Sequence, residues 1–188
     1  MSKAPASAVA GKIGKRKGEQ AFLREWKKSV LSHPRSFWYK IPDIFPMGEM
    51  RWIPQKPFDC IFAIDEIVFF AEAKFSNDCE HAWSFDNVSD HQAENLDLAS
   101  RAGVPSGILL NVRQGLGSRR YNKTFAIGIN AFNELRAKKK SIRPGELERL
   151  VPFAVPEGVI WPIRGELLRD AFNLKKPVDS AVQEFAFC

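Results

Sequence analysis

Polar and apolar positions change period several times along the 188 residues. Residues 1–15 are mostly Ala, Ser, Gly and Lys without periodicity, which predicts a flexible basic arm. From Lys17 to Ser32 the pattern turns helical, with Phe22, Leu23, Trp26 and Val30 on one face and His33-Pro34 as the stop. Glu19 shares that apolar face, where a carboxylate needs a partner or a purpose. Ser36–Ile41, SFWYKI, predicts a short strand, and the proline-rich Pro42–Pro57 stretch reads as irregular. Residues 58–64 and 67–75 read as two strands joined at Asp65-Glu66, followed by a polar loop over 76–88. A helix is expected over Ser89–Ala102, with Gln92, Asn95, Leu96 and Ala99 on one face and Gly103 ending it. Then come an apolar strand at Ser106–Val112, a basic loop over 113–120 and a strand at Tyr121–Ile129. Helices are expected at Ala131–Lys140, from Ser141 to Leu150, and around Arg164–Phe172. The order α-β-β-β-α-β-β-α predicts one mixed α/β domain over residues 16–188.

Within this pattern one apolar run is chemically odd. FDCIFAIDEIVFFAEAKF, residues 58–75, carries Asp59 near one end and Glu72-Ala73-Lys74 at the other. If Asp65-Glu66 is a two-residue turn, facing residues have numbers that sum to 131, and Asp59 faces Glu72. Cross-strand neighbours lie about 5 Å apart, and Lys74 projects from the same face as Glu72. Two carboxylates and one ammonium in one patch suit Mg²⁺, which takes one or two protein carboxylates and keeps water or phosphate ligands. The lysine would orient a water and balance charge at a phosphate. The plainer reading of the same residues is an ion pair at a strand end.

Net charge matters less than its placement. The chain carries +6, but residues 1–40 hold ten Lys/Arg against two Glu, and residues 41–112 hold four against twelve acids. Residues 113–143 return to nine bases against one acid. An acidic middle between basic segments suits a metal site flanked by surfaces for a polyanion. Solvated basic tails give the same pattern, and Lys138-Lys139-Lys140 is either a phosphate-contacting face or a helix end in water. Cys60, Cys79 and Cys188 are too scattered for a disulfide framework, and Cys79 with His81 lacks the partners of a zinc site. Neither a signal-peptide core nor a bilayer-length apolar run is present, so the expectation is a cytoplasmic protein without membrane contact. Trp26, Trp38, Trp83 and Trp161 read as core or interface, whereas Trp52, beside Arg51 in the irregular stretch, is the one that could instead wedge between bases. His81 and His91 read as exposed histidines rather than proton carriers.

Asp59 followed at a hairpin's interval by Glu72-x-Lys74 resembles the signature of the PD-(D/E)XK nucleases. More narrowly, the chain is similar to the RecU-type Holliday-junction resolvases of bacteria and their phages. PFD at 57–59, AEAK at 71–74, WSFDNVSDHQAENL at 83–96 and KKKSIRPGELERL at 138–150 resemble four blocks of that family, in order. The resemblance runs from about residue 14 to about residue 170. It implies a restriction-endonuclease-like core and a homodimer that binds branched DNA, cutting two strands of a four-way junction with Mg²⁺ or Mn²⁺. Carried over by position, Asp59 and Glu72 would be metal ligands, with the Ala73 carbonyl as a third. Lys74 would be the catalytic lysine, with Glu19 and Gln92 supporting the site. Phe58 stands where the family usually has threonine, Phe75-Ser76 replaces a polar pair, and residues 42–57 form a shorter segment than the family's protruding stalk.

Two other classes of function remain open at the level of sequence. One is a different PD-(D/E)XK nuclease acting on ends, flaps or duplex. The other is a DNA-binding module without catalysis. The intact set of Asp59, Glu72 and Lys74 argues against the module, and the two later blocks favour a junction substrate.

Overall fold

The structure is a computed structural model and describes residues 6–43, 55–114, 121–150, 160–161 and 163–173. Side chains are described from residue 17 onward and not at 149–150. Trp52 and its neighbour Arg51, Lys3, Cys188 and the 115–120 part of the basic loop lie outside the described residues.

The chain begins with helix α1, Ala6–Leu31, which starts earlier than the apolar stripe predicts. Residues 6–15, expected as a flexible arm, are therefore helical backbone. Strands β1 (Ser36–Lys40), β2 (Cys60–Ile64) and β3 (Ile67–Ser76) follow. The expected polar loop contains a two-residue strand, β4 (Trp83–Ser84), and a 3-10 turn at Phe85–Asn87. Next come α2 (Asp90–Arg101), β5 (Ser106–Gln114), β6 (Tyr121–Gly128) and α3 (Ile129–Lys138). Ser141–Ile142, expected to open a helix, instead forms β7, whose Ile142 pairs with Trp83 of β4. Helix α4, Pro144–Leu150, begins only at the proline, whose fixed φ and missing N–H suit a first helical turn. The last helix, α5, is Gly165–Asn173.

The main sheet has the order β1-β2-β3-β5-β6. β3 and β5 are parallel and the other neighbours antiparallel, so this is a mixed α/β sheet with helices on both faces. The parallel pair follows from the crossover through α2, since parallel neighbours need a long connection. β3 is the central strand.

Each face has its own core. Phe22, Trp26 and Val30 of α1 pack with Cys60, Phe62, Phe69, Trp161 and Phe172 on one side. On the other, Leu96 of α2 and Phe132 of α3 pack with Ile108, Leu110, Phe125 and Ile127. Trp26, Trp83 and Trp161 are buried and Trp38 packs against the first core, as the pattern predicts. α1 approaches β3 closely at Gly18, where a Cβ would lie 2.3 Å from the Phe75 ring. That approach sets the neighbouring Glu19 over the sheet's end. No helix among the described residues is long and apolar enough to cross a membrane.

Candidate active site

The hairpin register is the one the sequence predicts, from Ile64 opposite Ile67 to Cys60 opposite Ala71. Asp65 and Glu66 turn the chain at φ 51° and 69°. Both central residues are thus left-handed, as a type I′ turn requires, although neither is glycine.

At Asp59 the ladder becomes irregular. Its N–H donates to the Ala71 carbonyl at 3.2 Å, and its own carbonyl accepts from the Ile41 N–H at 2.9 Å. Its Oδ2 accepts the Ala73 N–H at 3.0 Å, a bond from side chain to strand. Asp59 therefore meets β3 beside Glu72, gripping the backbone of the next residue. Ala73 enters the site through its N–H.

Glu72 is buried (1% exposed), and its Oε1 accepts from Lys74 Nζ and from Gln92 Nε2, each at 2.6 Å. Its Oε2 is buried without a hydrogen-bond partner. Gln92 is held in place by the start of its helix. The Ser89 hydroxyl caps α2 by accepting the Gln92 N–H, while Gln92 Oε1 accepts the Ser89 N–H at 3.1 Å. This capping box occupies the amide oxygen and leaves the NH₂ group for Glu72. The Ser-x-x-Gln spacing is legible in the sequence, but its bearing on the site is seen only in the fold.

Charge in the patch is unbalanced. Burial, reinforced by Asp59 and opposed by Lys74, pushes the Glu72 carboxyl up to about 8. Glu19 is also raised, first by burial and then by Asp59, while Lys74 and Lys56 pull it down. The five residues Glu19, Asp59, Glu72, Lys74 and Gln92, brought by α1, the residue before β2, β3 and α2, thus meet in one patch.

Two further residues belong to it. Lys56 Nζ lies 2.5 Å from Asp59 Oδ1 and 2.9 Å from Asp43 Oδ1. An open cleft of ≈290 Å³ is lined by Glu19, Gln20, Leu23, Lys40, Asp43, Lys56 and Asp59. Glu72 lies behind this cleft rather than on its wall. Lys56 comes from a stretch without periodicity, and only its place three residues before Asp59 hints at the contact.

The remaining polar candidates are elsewhere. His81 is exposed and bonded to Asp78 at 2.6 Å, and His91 reaches the Gln55 carbonyl at 3.3 Å. The Cys79 N–H donates to Gln114 Oε1, and Cys60 is a core thiol whose pKa burial, with Asp59 and Glu72, raises. Among the described residues no three His, Cys, Asp or Glu side chains form a ready metal cluster. No known family model and no curated protein matches the sequence.

Proposed function

We propose that this chain is a Mg²⁺- or Mn²⁺-dependent, structure-selective DNA endonuclease that resolves four-way junctions as a homodimer. The observation that carries this reading is Glu72, a buried carboxylate held by Lys74 and Gln92 beside Asp59, with one oxygen left without a partner. The mixed sheet, with β3 at its centre carrying Glu72 and Lys74, supports a restriction-endonuclease-like core. The four sequence blocks that resemble those of the RecU-type resolvases favour a junction as the substrate.

The donors fit such an ion. They are hard oxygens, and a divalent cation would satisfy the orphaned Glu72 Oε2 and offset the burial and the Asp59 repulsion that raise its pKa. Asp59 and Glu72 would hold it, with the Ala73 carbonyl as a third donor and water or phosphate completing the shell. A bound cation supplies Lewis-acid stabilisation of charge that builds on the phosphate oxygens.

The chain's own groups do the rest. Ala73 N–H fixes the Asp59 carboxylate, and Gln92 fixes that of Glu72. Lys74, 14% exposed, bonds Glu72 and would orient an attacking water and offset charge at the phosphate. Lys40 and Lys56 also line the cleft, where they offset the charge of Asp43 and Asp59. Paired cutting needs two sites, and the row Phe37, Ala63 and Val68 across three strands supports a second copy, since Phe37 and Val68 are exposed.

The test is cleavage of a four-way junction, a flap and a linear duplex, with and without Mg²⁺, beside a gel shift. Asp59→Asn and Lys74→Ala are expected to abolish cutting and to keep junction affinity, which comes from basic surface outside the acidic patch. Near wild-type cutting in both variants would remove the site assignment. Equal cutting of flap and duplex would move the substrate to the wider nuclease class.

A further inference from the structure

The two acids are not equally open. Glu72 has one oxygen without a partner, but both oxygens of Asp59 are taken. The Ala73 N–H on Oδ2 belongs to the strand and is fixed. The other bond, from Lys56 Nζ to Oδ1, comes from a side chain, and that chain has a second anchor in Asp43 Oδ1. Lys56 and Asp59 side chains are 18% and 5% exposed, while Asp43 is 38% exposed, so the ammonium sits between an inner and an outer carboxylate. Lys56 is thus a cation in the protein's own sequence, resting on the oxygen that a divalent ion would need.

We infer that Lys56 is an exchangeable counter-ion of Asp59: it holds Oδ1 and must withdraw onto Asp43 for a divalent cation to bind there. The inference rests on the metal-dependent reading of this site and adds to it a residue that sets metal affinity. It makes Lys56 a positioning residue, not a catalytic one. Two lysines line the cleft, and only one touches Asp59. Lys40 bonds Asp43 Oδ2 at 3.5 Å and leaves Asp59 alone. A general effect of cleft charge and a specific exchange at Oδ1 are therefore separable.

The experiment is Mn²⁺ binding to the full-length, DNA-free protein, read as free Mn²⁺ by electron paramagnetic resonance, with folding checked by circular dichroism. Lys56→Met is expected to tighten Mn²⁺ binding about ten-fold, since a charged hydrogen bond no longer competes. Lys56→Arg, which keeps the charge and can grip a carboxylate with two parallel N–H groups, is expected to weaken it. Lys40→Met is expected to change it less than about three-fold, as a screened charge would. Equal Mn²⁺ affinity in wild type and Lys56→Met, or equal gains in Lys56→Met and Lys40→Met, would overturn the exchange and leave the metal site standing. No Mn²⁺ binding by any of these proteins would overturn the metal-dependent reading, and the exchange with it.

Discussion

Glu72 is the residue at which folding and chemistry conflict most directly. Its ordinary pKa is 4.5, and in the fold burial, then Asp59, push it up to about 8. Between those two values the folded chain keeps a proton that the unfolded chain has released. Stability from this group is therefore present below about 4.5 and is lost as pH rises towards 8. Glu72→Gln keeps the shape and removes the titration. With metal chelated, the melting temperature of the variant minus that of wild type should grow from pH 5 to pH 8.5, by about 2–4 °C per kcal/mol recovered. A difference that stays flat across that range would mean that Glu72 is ionised at no cost. Asp59, Glu72 and Lys74 were legible because charges interrupt an apolar run. Lys56 was not, because its contact depends on how an aperiodic segment folds back, which no repeat encodes.

At the level of elements, hydrophobic period and stop signals place most helices and strands, and the misses share a cause. β4 and β7 are two residues each, too short for a period, and Ser141-Ile142 next to a helix reads as its first turn. The opposite error occurs at α1, whose first turns lack the apolar stripe and so read as coil, although its backbone is helical from Ala6. The hairpin was legible from its register despite an unfavourable turn pair. That pair is costly, since a non-glycine residue in the left-handed region loses about 1–2 kcal/mol. Glu66 lies at φ 69°, and its ion pair with Arg35 is exposed (69% and 76% for the two side chains), so it adds little. Glu66→Gly should relieve the strain and, after the added freedom of the unfolded chain, stabilise the protein by about 0.5–1 kcal/mol. Urea unfolding measures this, and a lower midpoint would show that the Arg35 contact outweighs the strain.

At the scale of the whole molecule, strand order is the feature that periodicity could not supply, because β3 and β5 become neighbours only through the crossover that α2 makes. Charge distribution, by contrast, is legible, and the fold sharpens it. Several bases of the 113–143 segment are paired locally: Lys123 with Glu148, Arg136 with Asp90, Lys138 with Glu134 and Lys139 with Glu146. Less of that segment is therefore free for a polyanion than its net charge suggests, which shifts weight to the N-terminal segment, where Lys3, Lys12 and Lys15 stand among ten bases in forty residues. Deleting residues 1–15 leaves the buried stripe of Phe22, Leu23, Trp26 and Val30 and the site residue Glu19 in place, so the fold should survive. Each lysine that contacts a phosphate releases counter-ions, so the slope of log junction affinity against log salt should fall by about 0.9 per contact removed. Fluorescence anisotropy across a salt series measures that slope. Cleavage at low salt and saturating junction should persist, because no candidate metal ligand is removed. An unchanged slope would show that these lysines make no phosphate contact. Cleavage lost under saturating junction, with the circular dichroism of a folded protein, would show instead that the first turns of α1 shape the bound junction rather than only holding it.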